Sequence, residues 1–227
     1  MRCLVFDLDG TLIDSVPDLM AALNRLMAAH GLAGFAAPEV TAMVGDGAAA
    51  LVNRALAARG RAPDAAAVES FVADYTDHAA EATRAFPGVL ETLPVLAEAG
   101  WRMAVCTNKP AAAAREVLGA LDMARYFTAI GGGDSYPVRK PDPAHLLATL
   151  RDAGGAPGRT VMVGDHRNDV AAAAGAGLPC IFAGWGYGPA AMAEGAASVA
   201  ATFGDVPEMA ERLLGQWVGA RHDGPMP

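Results

Sequence analysis

Cysteine, basic charge and long apolar runs are all scarce in this sequence, and each scarcity removes a class of explanation. Three cysteines stand among 227 residues, Cys3, Cys106 and Cys180, each in or at the end of an apolar run and none at metal-ligand spacing from another. They are expected to be buried, reduced thiols. The alternative, a redox-sensing Cys106, requires an activated thiolate beside a site. The 17 Lys and Arg are outnumbered by 25 Asp and Glu, for a formal net charge of −8. That balance argues against nucleic acid as a partner, because nonspecific binding needs a basic face. It also looks poor for an anionic small molecule, but a bound cation and a few local bases can reverse the local sign. No apolar stretch approaches the roughly 20 residues that cross a bilayer, so no membrane partner is expected. Asp7 and Asp9 interrupt the first apolar run where a signal-peptide core would stand, and the cytoplasm is the expected compartment. The histidines His30, His78, His145 and His222 are scattered and suggest no metal cluster.

What is present is apolar: 53% of the residues are hydrophobic, enough to fill a core. The length fits one large domain or one domain with a modest insertion. Apolar runs at 3–6, 101–106, 127–130, 160–164 and 179–183 alternate with helical patterning, which predicts an α/β sheet. After the first run, Asp14 or Ser15 can cap a helix with Pro17 in its first turn, and Leu19, Leu23, Leu26 and Met27 recur at helical spacing. Helical patterning continues through Pro38–Met43, Ala48–Arg59 and Ala66–Ala82, with no strand expected between Ser15 and Phe86. So much helix directly after the first strand predicts an inserted helical cap over 16–85. Its linkers would lie near Asp14–Pro17 and Ala85–Gly88. The core is then 1–15 with 86–218, and 219–227 is expected to be a disordered tail.

The first apolar run ends in Asp7-Leu8-Asp9-Gly10-Thr11. In an extended segment alternate side chains share a face, so Asp7 and Asp9 can point into one site. Two adjacent carboxylates repel, which favours a cation between them or a raised pKa on one. A plain Asx-type turn is the competing explanation. Two other runs also end in reactive residues: one in Thr107-Asn108-Lys109-Pro110, the other in Gly164-Asp165, with Asp169 four residues on and Lys140 lying between the two runs. In a parallel sheet ligands bind beyond the carboxyl ends of the strands. Neighbouring strands would bring these ends to one spot. Four carboxylates there need positive charge, and an oxygen-rich site suits Mg²⁺. A lysine with hydroxyl and amide donors suits a phosphate group.

Taken in order, these four segments resemble the four motifs of the haloacid dehalogenase superfamily, and they span residues 4 to about 170. Within it, the bacterial phosphoglycolate phosphatases are most similar, through Phe6–Ser15, Val44-Gly45-Asp46-Gly47 with Arg54-Ala55-Leu56, Thr107-Asn108-Lys109-Pro110, Gly131–Asp134 and Val163–Asp169. The resemblance implies a Rossmann-like parallel sheet carrying a small helical cap. It implies Asp7 as nucleophile, forming an aspartyl-phosphate, and Asp9 as the acid and base that moves protons. Mg²⁺ would be held by Asp7, Asp165 and the main-chain carbonyl of Asp9, with Asp169 and Thr11 in support. Thr107 and the backbone at Asn108 would donate to phosphate oxygens, and Lys140 would neutralise the phosphoryl group.

The cap should set the substrate. Gly45 and Gly47 precede a helix whose N-terminus can bind an anion. Arg54 is divided between substrate contact and cap structure, and Arg25 and Lys109 are weaker candidates for substrate contact. Asp46 would repel a carboxylate unless it turns away or caps the helix. His166 is expected to be an exposed loop residue, and the aromatics of Trp185-Gly186-Tyr187-Gly188 to be packing. The partner implied is a small phosphorylated metabolite, 2-phosphoglycolate first. A sugar phosphate or pyrophosphate is the alternative, and a phosphosugar mutase a more distant one, since the mutases usually carry valine where Thr11 stands. Dehalogenases and phosphonate-cleaving relatives lack the acid at the position of Asp9. The chain is expected to be a monomer or homodimer.

Overall fold

The computed structural model describes residues 1–222, with side chains through residue 215. Its centre is a six-stranded sheet of order β5-β4-β1-β6-β7-β8. The strands are β1 (Cys3–Phe6), β4 (Arg102–Cys106), β5 (Phe127–Gly131), β6 (Thr160–Gly164), β7 (Cys180–Ala183) and β8 (Ser198–Ala200), and every pairing among them is parallel. All four residues of β1 are buried, as expected for a central parallel strand covered on both faces, which is why the run is continuously apolar. Alternate residues serve opposite faces. Leu4 and Phe6 join one core with Leu93, Val117 and Val206, while Cys3 and Val5 join a second with Leu146, Leu150 and Val170. The helices that cover the sheet are α5 (Val89–Glu98), α6 (Ala111–Ala120), α7 (Pro143–Asp152), α8 (Arg167–Gly175) and α9 (Val206–His222).

Between β1 and β4 the chain leaves the sheet for α1 (Val16–Ala29), α2 (Ala37–Thr41), α3 (Ala48–Ala58) and α4 (Ala65–Asp77). The two crossings are tied together by a short antiparallel pair, β2 (Ile13–Asp14) with β3 (Arg84–Ala85). Asp18 fastens the return crossing. Its buried carboxylate accepts from the backbone of Ala82 at 2.9 Å and from both the backbone and hydroxyl of Thr83 at 2.8 Å. This corrects two expectations. Helix α4 ends at Asp77 and not at Ala82, because Ala82 and Thr83 are drawn onto Asp18; and Arg84–Ala85 forms a strand, too short at two residues to show periodicity.

Two further differences lie outside the site. Strand β8 has only three residues and no apolar run to mark it. Helix α9 continues to His222, so 219–222 are helical where a tail is expected, while 223–227 lie outside the described residues. The three cysteines are buried and unpaired. Burial pushes the Cys106 thiol up to about 12, the opposite of what a redox sensor needs. Among the described residues no helix is long and apolar enough to cross a membrane.

Candidate active site

The chain runs outward from β1 to β4 and β5, then crosses back to β6 on the other side of β1, which opens a crevice at the carboxyl ends of these strands. Register brings the ends level. Phe6 pairs with Val105 on one side and Val163 on the other, and the Asp7 backbone N–H donates to the Val163 carbonyl at 2.9 Å. Asp7, Thr107 and Asp165 therefore leave three adjacent strands at one place, as their sequence positions predict.

Asp7, Asp165 and Asp169 offer carboxylate oxygens within 4.8 Å of one another, all three residues buried. Lys140 answers part of this charge. Its ammonium lies 2.9 Å from Asp7 Oδ1 and 2.6 Å from Asp169 Oδ1, with only 2% of its side chain exposed. Burial alone would lower the Lys140 pKa, but Asp169 and Asp7 outweigh it and keep the ammonium charged. One lysine does not balance three acids. Burial pushes Asp7 up to about 6, against the pull of Lys140. Burial, together with the charges of Asp7 and Asp169, pushes Asp165 up to about 8. Carboxylates held in this way gain from a divalent cation, and an all-oxygen donor set is what a hard cation prefers. These donors fit such a cation. The Asp9 carboxylate is outside the cluster, so its main-chain carbonyl is what it can offer a metal. Asp169, buried completely, is inside the cluster but already receives Lys140 and the His166 backbone N–H at 3.0 Å.

Thr11 supports the cluster as expected, its hydroxyl donating to Asp165 Oδ1 at 3.1 Å. Gly10 lies against the same carboxylate with φ +82°, where a Cβ would stand 2.3 Å from Asp165 Oδ2; only glycine fits there. The backbone N–H groups of Tyr187 and Gly188 donate to Asp165 Oδ2 at 2.8 and 3.2 Å. The Tyr187 hydroxyl donates to Asp14 and accepts from the Ser15 backbone. This segment does more than pack: it orients Asp165 and the crossing into α1, a role no periodicity signals.

Asp9 points elsewhere. Its Oδ1 accepts from the Ser15 hydroxyl at 2.6 Å and from Lys109 Nζ at 2.8 Å. Ser15 precedes α1 but makes no side-chain cap; its hydroxyl serves Asp9 instead. Lys109 is buried against Asp9 and the Tyr75 hydroxyl of α4. Burial opposes its charge, and Asp9 and Tyr75 outweigh that and hold the ammonium protonated.

The loop before α3 closes the crevice. Asn108 Nδ2 donates to the Gly45 carbonyl at 3.0 Å and to the Lys140 carbonyl at 2.9 Å. Asn168 Nδ2 donates to Asp46 at 2.7 Å. Gly47, at φ +89°, passes so near the Asn108 carbonyl that a Cβ would lie 2.9 Å from it. Asp46 still lines the cavity, but its carboxylate is taken up by Asn168 and Arg54. Burial works against its charge, but those two partners hold its carboxyl below the usual value. Arg54 also donates to the Met43 carbonyl at 2.9 Å, so its guanidinium braces the loop. Arg25 pairs with Asp74 on the surface and takes no part in the crevice. His166 is not an exposed loop residue: its Nδ1 accepts from the Asn168 backbone and caps α8, and burial lowers its pKa. His145, scattered in sequence, is wholly buried beneath Lys140 and accepts that residue's backbone N–H at 3.1 Å. A cavity of about 500 Å³ remains, lined by Asp7, Asp9, Arg54, Asp165, His166 and Tyr187. A void of about 40 Å³ lies on the side of Thr107, Lys109 and Tyr75.

Known proteins resemble this chain in sequence and in fold. The family model described as haloacid dehalogenase-like hydrolase matches residues 1–177. A phosphoglycolate phosphatase of Agrobacterium fabrum is 42% identical over 194 residues, covering 84% of this chain and 83% of that protein. The crystal structure of a predicted phosphoglycolate phosphatase from Haemophilus somnus superposes with a TM-score of 0.83 at 29% identity, covering 92% of this chain and 97% of that one. The structure of CbbY from Rhodobacter sphaeroides in complex with phosphate has a TM-score of 0.77 at 26% identity, covering 91% and 96%. With its motifs at the ends of three parallel strands and a model match over most of its length, the chain belongs to the haloacid dehalogenase-like hydrolases.

Proposed function

We propose that this protein is a Mg²⁺-dependent phosphatase acting on 2-phosphoglycolate through an aspartyl-phosphate on Asp7, with residues 16–85 serving as its cap. That it is a phosphoric monoester hydrolase follows from its family and its relatives. The observation that carries the mechanism is the separation of the two acids of the first motif. Asp7 faces Lys140 and the acidic cluster, and Asp9 faces Ser15 and Lys109. Two carboxylates in different surroundings can take different tasks.

An ionised Asp7 oxygen attacks phosphorus, and the bond to the bridging oxygen breaks. Asp9 gives that oxygen its proton, so the alcohol leaves neutral. Asp9, now a carboxylate, takes a proton from a water that attacks the phosphorus of the aspartyl-phosphate, and Asp7 is released with inorganic phosphate. Lys140 balances charge on the phosphoryl oxygens, and the Thr107 hydroxyl and Asn108 backbone N–H donate to them. Asp7, Asp165 and the Asp9 carbonyl would hold Mg²⁺, which when bound supplies the positive charge that lets a carboxylate meet a phosphate dianion.

The relatives named phosphoglycolate phosphatase favour a small phosphorylated acid, and the braced loop over the crevice favours a small leaving group. The test is kcat/KM on 2-phosphoglycolate, glycerol phosphate, hexose phosphates and pyrophosphate, with Asp7→Asn as the control. A preference for 2-phosphoglycolate is expected, with no turnover in Asp7→Asn. A hundredfold preference for a sugar phosphate would displace the substrate, and normal turnover in Asp7→Asn would remove the nucleophile.

A further inference from the structure

We propose that Lys109 is a positioning residue for Asp9, engaged by Tyr75 of the cap, so that closure of the helical segment completes the proton-transfer group. The inference rests on the reading of Asp9 as the acid.

Lys109 is fully enclosed, with 2% of its side chain exposed, and a buried ammonium needs partners. It has two from different parts of the fold. Asp9 Oδ1, 2.8 Å away, belongs to the loop after β1. Tyr75 belongs to α4, its hydroxyl on Nζ and its ring 4.4 Å below. Tyr75 is itself fixed. It is 2% exposed and stacks on Phe71, one turn earlier in α4, with centroids 5.7 Å apart and planes 2° from parallel. A rigid aromatic of the cap therefore seats the ammonium, and the ammonium seats the carboxylate. The Ser15 hydroxyl takes the same Oδ1 at 2.6 Å. With both donors on Oδ1, Oδ2 is the oxygen left to carry a proton. That proton passes to the bridging oxygen as the phosphorus–oxygen bond breaks, and its electron pair stays with the departing alcohol. If the cap swings away, Lys109 loses Tyr75 and gains water, and Asp9 loses a fixed partner.

Replacing Lys109 by Met removes the ammonium while keeping the apolar stem, and Tyr75→Phe removes only the hydroxyl. Two substrates of similar size separate positioning from folding. The glycolate of 2-phosphoglycolate must be protonated as it leaves; the acetate of acetyl phosphate leaves without a proton. A positioned general acid is worth about 10²–10⁴-fold. Lys109→Met should lower kcat/KM for 2-phosphoglycolate by about 10²-fold and change that for acetyl phosphate several times less. Tyr75→Phe should show the same contrast at about 2- to 10-fold, the net worth of one hydrogen bond. Equal losses on both substrates, or none, would overturn the role of Lys109. A contrast in Lys109→Met that is missing in Tyr75→Phe would overturn the link to the cap. Asp9→Asn separates the inference from its premise: if it shows no contrast between the substrates, Asp9 is not the acid, whereas a contrast there without one in Lys109→Met sinks the inference alone. Should Lys109→Met fail to fold, Tyr75→Phe, with the lysine in place, still decides.

Discussion

Replacing Lys140 by Met removes the one cation set between Asp7 and Asp169, and its consequences can be worked from the burial of the three groups. The ammonium is 2.9 Å from Asp7 and 2.6 Å from Asp169, whose side chains are 11% and 0% exposed. Taking one partner from a buried pair leaves an uncompensated charge and costs about 3–5 kcal/mol. In a chain of this size each kcal/mol moves Tm by about 2–4 °C, so the metal-free variant should melt about 6–20 °C below the wild type. Activity should fall by at least about 10²–10³-fold, the cost of losing one preorganised charge at a phosphoryl group. The pH dependence marks the cause. Without Lys140, the Asp7 pKa rises further above its ordinary value, and a carboxyl with a raised native pKa loses stability as pH rises through that value. The deficit of the variant should therefore be largest above neutrality and shrink on acidification, as the orphaned acids take up protons. Thermal melts from acid to alkaline pH, with and without Mg²⁺, and steady-state kinetics on 2-phosphoglycolate would check this. A Tm within about 2 °C of wild type above neutrality, less than one kcal/mol on this scale, would refute the picture of a charge-starved cluster.

Chelation should abolish turnover and Mg²⁺ should restore it; full activity in metal-free buffer would rule the mechanism out. Mg²⁺ should also raise Tm, by an amount corresponding to about 2.7 kcal/mol at a hundred times its dissociation constant, and Asp165→Asn should lose most of that rise. In metal-free buffer, the raised carboxyls of Asp7, to about 6, and Asp165, to about 8, should make the wild type lose stability as pH climbs through that window. Melts that are flat from acid to alkaline pH would contradict it. Acylation of amines, read by mass spectrometry, should spare Lys109 and Lys140 in the folded protein and modify both once it is unfolded. Early modification of Lys109 in the closed, folded state would contradict its enclosure.

The central sheet and the acids at its strand ends were legible because a parallel strand buried on both faces must be continuously apolar. The break in that pattern, as at Asp7 or Asp165, marks where the chain meets the crevice. Thr11 was legible as a support for the same reason: it lies in the turn that leaves the strand. Tyr75, Tyr187 and His145 were not. Tyr75 reaches Lys109 across 34 positions of sequence and Tyr187 reaches Ser15 across 172, while His145 lies only five from Lys140 but beyond a Pro-Asp-Pro turn that hides the contact. Each sits in an element whose local pattern is that of ordinary packing. Asp46 and Arg54 were ambiguous for a different reason. Their charges alone suggest a ligand contact or a repulsion, and only the geometry reveals that they answer one another.

Lysine itself is the scarcest charge in the chain. Lys109 and Lys140 are the only two lysines of the sequence, and the other basic residues are arginines. Both lysines are enclosed at the site, one beside each acid of the first motif: Lys140 with Asp7, Lys109 with Asp9. Among the described residues, the arginines that form ion pairs do so in more open places, with side chains 30% exposed at Arg2, 42% at Arg25, 45% at Arg54, 60% at Arg125 and Arg212, and 73% at Arg151. Geometry explains the division. An ammonium is a compact charge with three donors that can point to separate acceptors, whereas a guanidinium is a flat fork suited to one carboxylate taken in its plane. Lys140 bridges Asp7 and Asp169, and Lys109 bridges a carboxylate and a phenol. A fork would not place one charge between two partners in so little space. The same property that makes the pair of acids tolerable also keeps them apart in function. Each carboxylate has its own cation, so a change of protonation at Asp9 can occur while Asp7 remains paired with Lys140.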